Sequence, residues 1–145
     1  MGAVDCIACR GDWETPVLRD TTFWRVIINR NQDPLGKTMI VLKRHEEDVS
    51  QLTPDEWQDL LTQIRWVTAR LRSAFAPDHF NYSFLMNMDV HAHLHVIPRY
   101  IESRELAGVQ FSDPDYPDAY RGPTTPAEIA TPSVIVAVHA ALMDR

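Results

Sequence analysis

Three of the six histidines in this chain lie at every second position, as His91, His93 and His95 in the stretch "DVHAHLHVIPRY". Alternate residues of a β-strand share one face, so the spacing predicts that the three imidazoles point the same way while Ala92 and Leu94 point into the core. Neutral imidazole can act as a nucleophile, exchange a proton near neutral pH, or bind a metal. The spacing therefore predicts a strand that takes part in chemistry.

Two kinds of chemistry fit such a strand. A metal centre made by all three side chains is disfavoured, because same-face neighbours on one strand are about 7 Å apart and metal–nitrogen bonds are about 2 Å long. Two of the three could bind one ion. The second interpretation is nucleophilic catalysis, in which one imidazole attacks phosphorus while its neighbours orient it and bind phosphate oxygens.

A second motif, Cys6-Ile7-Ala8-Cys9, lies near the N-terminus. In a reducing compartment this spacing is typical of metal ligands or of a redox pair. The turn-like "RGDWETP" that follows favours metal, although two free thiols remain an alternative. A tetrahedral zinc site would need two more nitrogen or sulfur ligands, for which His79 and His139 are candidates.

The rest of the chain predicts an α+β domain with a five-stranded antiparallel sheet. Thr53-Pro54-Asp55-Glu56 has the pattern of a capping box and opens an amphipathic helix that Pro77 closes. Its apolar positions are predicted to be core residues: Trp57, Leu60, Leu61, Ile64, Val67, Leu71 and Phe75. Strands are expected at 16–20, 23–30, 37–45, 79–87 and 92–100, an irregular wrap at 101–131, and a terminal helix at 132–144.

Length and charge limit the classes of function. The 145 residues predict a single domain over 1–145. The net charge of −6, with no basic block longer than "KRH", argues against a nucleic-acid partner. No apolar run is long enough to span a membrane, and the N-terminus lacks a signal-peptide pattern, so we expect a cytoplasmic protein.

The stretch His-Ala-His-Leu-His-Val-Ile-Pro-Arg resembles the signature of the histidine-triad (HIT) family of nucleotidyl hydrolases and transferases. The resemblance covers about residues 5–100 and includes the Cys-x-x-Cys pair, the segment from Gly36 to His45 and the capped helix. It implies a homodimer that acts on a small nucleoside phosphate derivative without an organic cofactor.

The resemblance also implies roles for individual residues. His93 would be the nucleophile and His95 would contact the scissile phosphate. Asn29 would bind the ribose, and further nucleotide-binding groups would be Lys37, Asn81 and Asn87. His45 and His91 match metal positions of the family, so that a structural zinc ion would be held by Cys6, Cys9, His45 and His91.

Three features depart from the family pattern. Lys37 stands where many members have a fourth histidine, Met88 replaces a Ser or Thr, and the segment before the triad has no glycine. The leading expectation is hydrolysis of a dinucleoside polyphosphate-like substrate at the α-phosphate. The alternatives are a phosphoramidate hydrolase, a nucleotidyl transferase or phosphorylase, and a zinc-stabilised nucleotide-binding module with little turnover.

Overall fold

The computed structural model describes residues 6–11, 15–121 and 131–144. Its main feature is a five-stranded antiparallel sheet with the strand order β1-β2-β3-β5-β4. The strands are β1 (Val17–Asp20), β2 (Trp24–Ile28), β3 (Thr38–Leu42), β4 (His79–Ser83) and β5 (His93–Arg99). The predicted α+β class and the five-stranded antiparallel sheet are confirmed.

Three α-helices in the described part of the chain accompany the sheet. They are the short α1 (Ile7–Arg10), the long α2 (Pro54–Phe75) and the C-terminal α3 (Pro132–Met143), with a 3-10 turn at Val49–Gln51. No helix in the described ranges is long and apolar enough to cross a membrane.

Helix α2 begins as its sequence predicts. The hydroxyl of Thr53 accepts from the main-chain N–H of Glu56, and the carboxylate of Glu56 accepts from the N–H of Thr53. The helix ends at Phe75, where Ala76 adopts a left-handed conformation with φ of 49° and closes the last turn. The capping box therefore fixes the N-terminus of the longest element in the fold.

The core lies between the sheet and the helices α2 and α3, and alternate strand residues face it. Ile40 and Leu42 from β3 pack there with Leu94 and Val96 from β5, and all four are buried. Ala92 also belongs to this core, as predicted. The opposite face of the sheet carries His93 and His95, and a second, smaller apolar cluster there includes Ala8, Ile27 and Val41.

The apolar stripe of α2 is narrower than the sequence predicts. Leu60, Val67, Leu71 and Phe75 are buried, whereas Trp57 is 43% and Leu61 46% exposed. The prediction that every position of this stripe belongs to the core is therefore wrong for Trp57 and Leu61. Helical periodicity identifies the apolar face, but the width of the surface that the sheet covers decides how much of that face is buried.

The segment expected to be irregular, 101–131, contains a small hairpin. Its strands are β6 (Arg104–Leu106) and β7 (Val109–Phe111), joined by Ala107 and Gly108, which both have positive φ values. Strands of three residues are too short to show a period of two in the sequence, so the hairpin left no usable signal. The remainder of the wrap through residue 121 has no regular structure, and 122–130 lies outside the described residues.

Candidate active site and metal centre

His93 and His95 project from β5 onto the face of the sheet opposite the core. The Nε2 atoms of the two rings are 3.2 Å apart, and the ring planes are inclined by 72° with centroids 4.8 Å apart. Their cross-strand neighbours on β3 are Val41 and Met39. The two imidazoles therefore form a contacting pair whose neighbours on the β3 side are apolar.

The main chain fixes the tautomer of His93. Its Nδ1 lies 2.7 Å from the carbonyl oxygen of His91, and a carbonyl only accepts, so Nδ1 carries the proton. The neutral ring then has its lone pair on Nε2, which faces the Nε2–H of His95. An imidazole held in this way presents one unprotonated nitrogen in a defined direction.

His95 is held in its neutral form. Burial, with smaller contributions from the neighbouring His93 and Lys37, lowers the pKa of His95 to about 4. A ring with this pKa is uncharged at neutral pH and can still donate through an N–H. His95 can therefore hydrogen-bond to an oxygen without carrying a positive charge.

The first histidine of the motif has different neighbours from the other two. His91 lies before β5 begins, and its fully buried ring turns towards α1. The alternation predicted for the three rings applies to His93 and His95 within β5, whereas His91 lies outside that strand. Its ring instead approaches Cys6, at 3.4 Å between Nδ1 and Sγ, and Cys9, at 3.5 Å.

Four side chains from three parts of the chain form a group that could hold a metal ion: Cys6, Cys9, His45 and His91. Their ligand atoms all lie within 4.8 Å of one another. The four-residue helix α1 begins at this cluster, and the Sγ of Cys6 accepts from the main-chain N–H of Cys9. One turn of helix thus brings both thiols of the Cys-x-x-Cys motif to the same side, and neither forms a disulfide.

The protonation of the two imidazoles suits a cation. His91 uses Nε2 to donate to the carbonyl of Leu42 at 2.6 Å, and His45 uses Nε2 to donate to the carboxylate of Glu47 at 2.8 Å. Both Nδ1 atoms then carry lone pairs, yet they lie 3.2 Å apart. Two lone pairs at this separation repel unless a metal ion or a proton lies between them. Acceptors on the second ring nitrogen, as found here, are typical of metal-bound histidine.

Four of the six separations between these ligand atoms are close to those of a tetrahedral zinc site, and the other two are within 4.8 Å. Bonds of about 2.0–2.3 Å from a tetrahedral zinc ion to nitrogen and sulfur place the ligand atoms about 3.3–3.8 Å from one another. The separations given above for the two histidines and for His91 with each thiol are 3.2–3.5 Å, and Cys9 Sγ lies 3.2 Å from His45 Nδ1. The two other candidates, His79 on β4 and His139 on α3, are not part of this group.

A cavity of about 240 Å³ lies beside His93, between α1 and the sheet. Its wall is mainly apolar, and polar groups stand at its rim. The lining includes Ile7, Ile27, Met39, Val41, Asn29 and His93. An apolar slot with a few convergent polar groups is typical of a small-molecule site.

Asn29 stands at the rim of this cavity, directly after β2. Its side-chain oxygen accepts from the main-chain N–H of Asn31 at 2.9 Å, which leaves the amide NH₂ available for a ligand. Sequence reasoning missed the residue that holds this loop, the buried Gln32. Gln32 donates to the carbonyls of Asn29 and Lys37 and accepts from the N–H of Gly36, at 2.7–2.9 Å.

The conformation and surroundings of Gly36 require a glycine at this position of the loop. It has a φ of 86°, and an added Cβ would lie 2.8 Å from a side-chain carbon of Leu71. A larger residue would therefore be strained and would also press against α2.

Lys37 is almost completely buried on the same face of the sheet as His95. Its ammonium donates to the hydroxyl of Tyr120 at 2.6 Å and to the carbonyl of Asp33 at 3.2 Å. Burial lowers the pKa of Lys37 to about 8. The structure thus places this predicted nucleotide-binding residue against the segment that follows β7, and nothing in the sequence indicated the partner Tyr120.

The other two predicted nucleotide-binding residues lie on β4 and in the segment that follows it. Asn81 is on β4, where its side-chain oxygen accepts from Arg99 at 2.7 Å. Asn87 is exposed in the irregular segment between β4 and β5. Arg99 is itself buried and paired with Asp113 at 2.7 Å, so it is neither a free anion-binding group nor an exposed residue at a strand end.

A family model described as "HIT domain" matches residues 21–102, which is more than half of the chain. The match spans β2 to the end of β5 and includes the contacting histidine pair. The chain belongs to the HIT domain family.

Solved structures show the same fold. A HIT family protein from Bacillus anthracis is 25% identical, with a TM-score of 0.61 over 70% of this chain and 77% of that chain. A zinc-bound histidine triad family protein from Mycobacterium smegmatis is 19% identical, with a TM-score of 0.63 over 97% of this chain and 95% of that chain. A hypothetical histidine triad nucleotide-binding protein from Sulfolobus tokodaii is 16% identical, with a TM-score of 0.63 over 94% of this chain and 91% of that chain. No curated protein matches the chain.

Proposed function

We propose that the protein is a nucleotidyl hydrolase that cleaves a nucleoside 5′-phosphate derivative at the α-phosphate through a covalent intermediate on His93. The observation that supports this most directly is the hydrogen bond from His93 Nδ1 to the carbonyl of His91 at 2.7 Å. It leaves an unprotonated Nε2 beside an apolar cavity that suits a nucleoside. Membership of the HIT domain family supports the same reaction.

The first step forms a bond between His93 Nε2 and phosphorus. The bond to the leaving group breaks, and a leaving phosphate departs with that electron pair as an oxyanion. Nδ1 keeps its proton, and its bond to the His91 carbonyl stabilises the positive charge that the ring gains. The Nε2–H of neutral His95 donates to a phosphoryl oxygen as negative charge develops there.

The second step regenerates the imidazole. Water adds to phosphorus, the bond from phosphorus to nitrogen breaks, and its electron pair returns to His93 Nε2. The products are a nucleoside monophosphate and a proton released to solvent. Asn29 holds the ribose at the cavity rim, while Lys37, Asn81 and Asn87 serve the phosphate side of the site.

We further propose that Cys6, Cys9, His45 and His91 hold a structural zinc ion. The ion would be structural rather than catalytic, because four protein ligands leave no open position for substrate. Its role would be to hold α1 against the sheet. The zinc-bound relative from Mycobacterium smegmatis, which has the same fold, supports this choice of metal. Cys6 and Cys9 form no disulfide, which suits a reducing compartment, and we therefore propose that the protein is cytoplasmic.

A panel of substrates tests the reaction. Steady-state hydrolysis would be measured with diadenosine polyphosphates, an adenosine phosphoramidate and an acceptor other than water. Turnover of the diadenosine polyphosphates with release of AMP supports hydrolysis of a phosphoanhydride bond. Turnover of the phosphoramidate alone, or dependence on the added acceptor, supports a phosphoramidate hydrolase or a transferase instead.

A nucleotide-binding module with little turnover is a second candidate, and one observation favours it. Met88, which stands where a Ser or Thr is expected, is 95% exposed and has no group that can donate to phosphate. Tight binding of AMP without turnover of any member of the panel would support this alternative.

We also propose a homodimer. Trp57 and Leu61 are exposed on α2, and the Trp57 ring contacts Phe84 at 6.1 Å between ring centroids. Leu85 and Met88 are exposed in the same segment as Phe84. An apolar surface of this kind is expected to be covered by a partner. Light scattering coupled to gel filtration should give twice the chain mass, and Trp57→Glu should give a monomer.

A further inference from the structure

The ammonium of Lys37 is held by two neutral oxygens at the edge of the proposed phosphate site. It donates to the hydroxyl of Tyr120 at 2.6 Å and to the main-chain carbonyl of Asp33 at 3.2 Å. The Tyr120 hydroxyl donates in turn to the same carbonyl at 2.9 Å. Lys37, Tyr120 and Asp33 therefore form a closed triangle of hydrogen bonds, and none of the three belongs to the histidine pair.

Lys37 is nevertheless close to the histidine that is expected to contact phosphate. It directly precedes β3, in which Met39 pairs with His95, and its charge contributes to the low pKa of His95. Only 3% of Lys37 is exposed, and its ammonium lies 4.9 Å from the centroid of the Tyr120 ring. A phosphate can therefore accept from this ammonium only if it takes the place of Tyr120.

Two separate sets of contacts hold the segment 113–120, which follows β7. The buried Arg99 fixes its first part, donating to the carboxylate of Asp113 at 2.7 Å and to the carbonyl of Asp118 at 2.9 Å. Beyond Asp118, the hydrogen bonds of the segment within the described residues are those of the Tyr120 hydroxyl. The end of the segment can therefore leave Lys37 while the ion pair of Arg99 and Asp113 stays in place.

A phosphate would be a stronger partner for Lys37 than the groups that hold it in the free protein. Hydrogen bonds between an ammonium and an anionic oxygen are about twice as strong as those between neutral groups. Burial of the ammonium beside a hydroxyl and a carbonyl is unfavourable for its charge, and it lowers the pKa of Lys37 to about 8. An anion that reached Lys37 would offset this cost, whereas Tyr120 brings no charge.

We propose that Tyr120 is a latch that competes with the substrate phosphate for Lys37, so that nucleotide binding releases Tyr120 and frees the end of the segment 113–120. The inference rests on the proposed phosphate-binding role of Lys37, and it adds the regulation of that site. Without ligand, the latch covers Lys37. Adenosine, which has no phosphate, can occupy the cavity beside His93 and leave the latch in place, whereas AMP displaces it.

The hold of the latch on Lys37 can be tested without any nucleotide. The chain has two lysines, Lys37 and the exposed Lys43, so Lys43 is an internal reference for acetylation by acetic anhydride, followed by mass spectrometry of peptides. Tyr120→Ala should raise the rate at Lys37 by about 10-fold, the equivalent of one hydrogen bond to a charged group. Tyr116→Ala removes a similar ring from the same segment and should leave the rate unchanged. An unchanged rate in Tyr120→Ala, or an equal rise in Tyr116→Ala, would overturn the latch.

Competition between the latch and phosphate is measured by calorimetry with AMP and adenosine. Tyr120→Ala should lower the Kd of AMP by about 10-fold, because the phosphate no longer has to displace a hydrogen bond to a charged group. The Kd of adenosine should stay the same in wild-type protein and variant, which also verifies that the variant is folded. An unchanged or higher Kd of AMP in Tyr120→Ala would show that Tyr120 does not compete with the ligand.

Release of the latch can be followed in the wild-type protein with N-acetylimidazole, which acetylates accessible tyrosine hydroxyls. Burial raises the pKa of Tyr120 to about 12, so the free protein should react slowly there, whereas Tyr82, which is 48% exposed, is the reference. AMP should raise the rate at Tyr120, and adenosine should not.

The latch and the proposed reaction can fail separately. Binding of AMP and nucleotidylation of His93 with no change at Tyr120 would overturn the latch and leave the hydrolase proposal standing. Release of Tyr120 by AMP without nucleotidylation of His93 would support the latch and contradict the hydrolase.

Discussion

The Nδ1 atom of His93 lies 2.7 Å from the main-chain carbonyl oxygen of His91. The ring of His91, two residues before His93, belongs to the cluster that could hold a metal ion. One short piece of backbone therefore joins the metal-ligand cluster to the proposed nucleophile. A change that moves His91 must also move the group that sets the tautomer of His93.

Replacing His93 by alanine should abolish turnover. Loss of a proton-transfer role alone would cost about 10²–10⁴-fold, whereas loss of the attacking atom removes the covalent route entirely. Rapid quench and mass spectrometry should detect a nucleotidylated wild-type protein and none with His93→Ala, although AMP still binds. His139→Ala, a substitution on α3 away from the site, is the control and should be nucleotidylated normally. A wild-type rate in His93→Ala would exclude the mechanism.

Asn29→Ala should weaken the binding of ribonucleotides by about 1–3 kcal/mol, the cost of leaving a buried polar partner unsatisfied. Calorimetry with AMP and with its 2′,3′-dideoxy analogue measures the effect. The analogue should lose little affinity, because it has no ribose hydroxyls. Asn29→Asp retains the acceptor for the N–H of Asn31 and is the matched control for the loop. Equal losses for both nucleotides in Asn29→Ala would point to a folding defect.

Zinc should be present at about one ion per chain in protein purified without chelator. Cys9→Ser and His45→Ala should each lose the metal and lower Tm by about 5–10 °C, since a few kcal/mol shift the midpoint of a domain of this size by that amount. Elemental analysis and calorimetry measure both quantities, with His139→Ala as control. Full zinc occupancy in His91→Ala would show that His91 is not a ligand.

The neutral state of His95 predicts a loss of stability in acid. Its pKa is about 4 in the folded chain against 6.5 in the unfolded chain, so below pH 6.5 the unfolded state binds the extra proton. The free energy of unfolding should therefore fall as the pH drops from 6.5 to 4 and change no further from this group below 4.

Between pH 7 and pH 5 this effect amounts to at most about 2 kcal/mol, and less because the ring is partly exposed. Denaturant titrations of the wild-type protein and of His95→Gln, at several pH values, isolate it. The metal ligands titrate in both proteins, so their contribution cancels. If the free energy of unfolding had the same pH dependence in the wild-type protein and in His95→Gln, His95 would not be held neutral.

Local sequence was enough to predict most of the secondary structure. The capping box at Thr53 and Glu56 forms from residues three apart, and the five strands follow from short apolar runs. These signals are local because they depend on hydrogen bonds and side-chain alternation within one element. The predicted strands were too long at their ends. The largest difference is at 79–87, where β4 ends at Ser83 in the structure.

The chemistry of the site was only partly local. The alternation of His93 and His95 was enough to predict that both rings face the same way, although not that they are in contact. The Cys-x-x-Cys motif was enough to suggest metal ligands. The assignment of His45 and His91 to the same metal cluster came from the resemblance to the HIT family, because nothing within either segment indicates the other.

Tertiary structure alone decided the rest. Cys6 and His91 are separated by 85 positions and meet only when α1 lies against the sheet. Tyr120 reaches Lys37, and Asp113 reaches Arg99, because the segment after β7 crosses the sheet face. The exposure of Trp57 likewise depends on where the sheet ends. Local patterns determine which elements form and which faces are apolar, whereas contacts between distant segments depend on how those elements pack together.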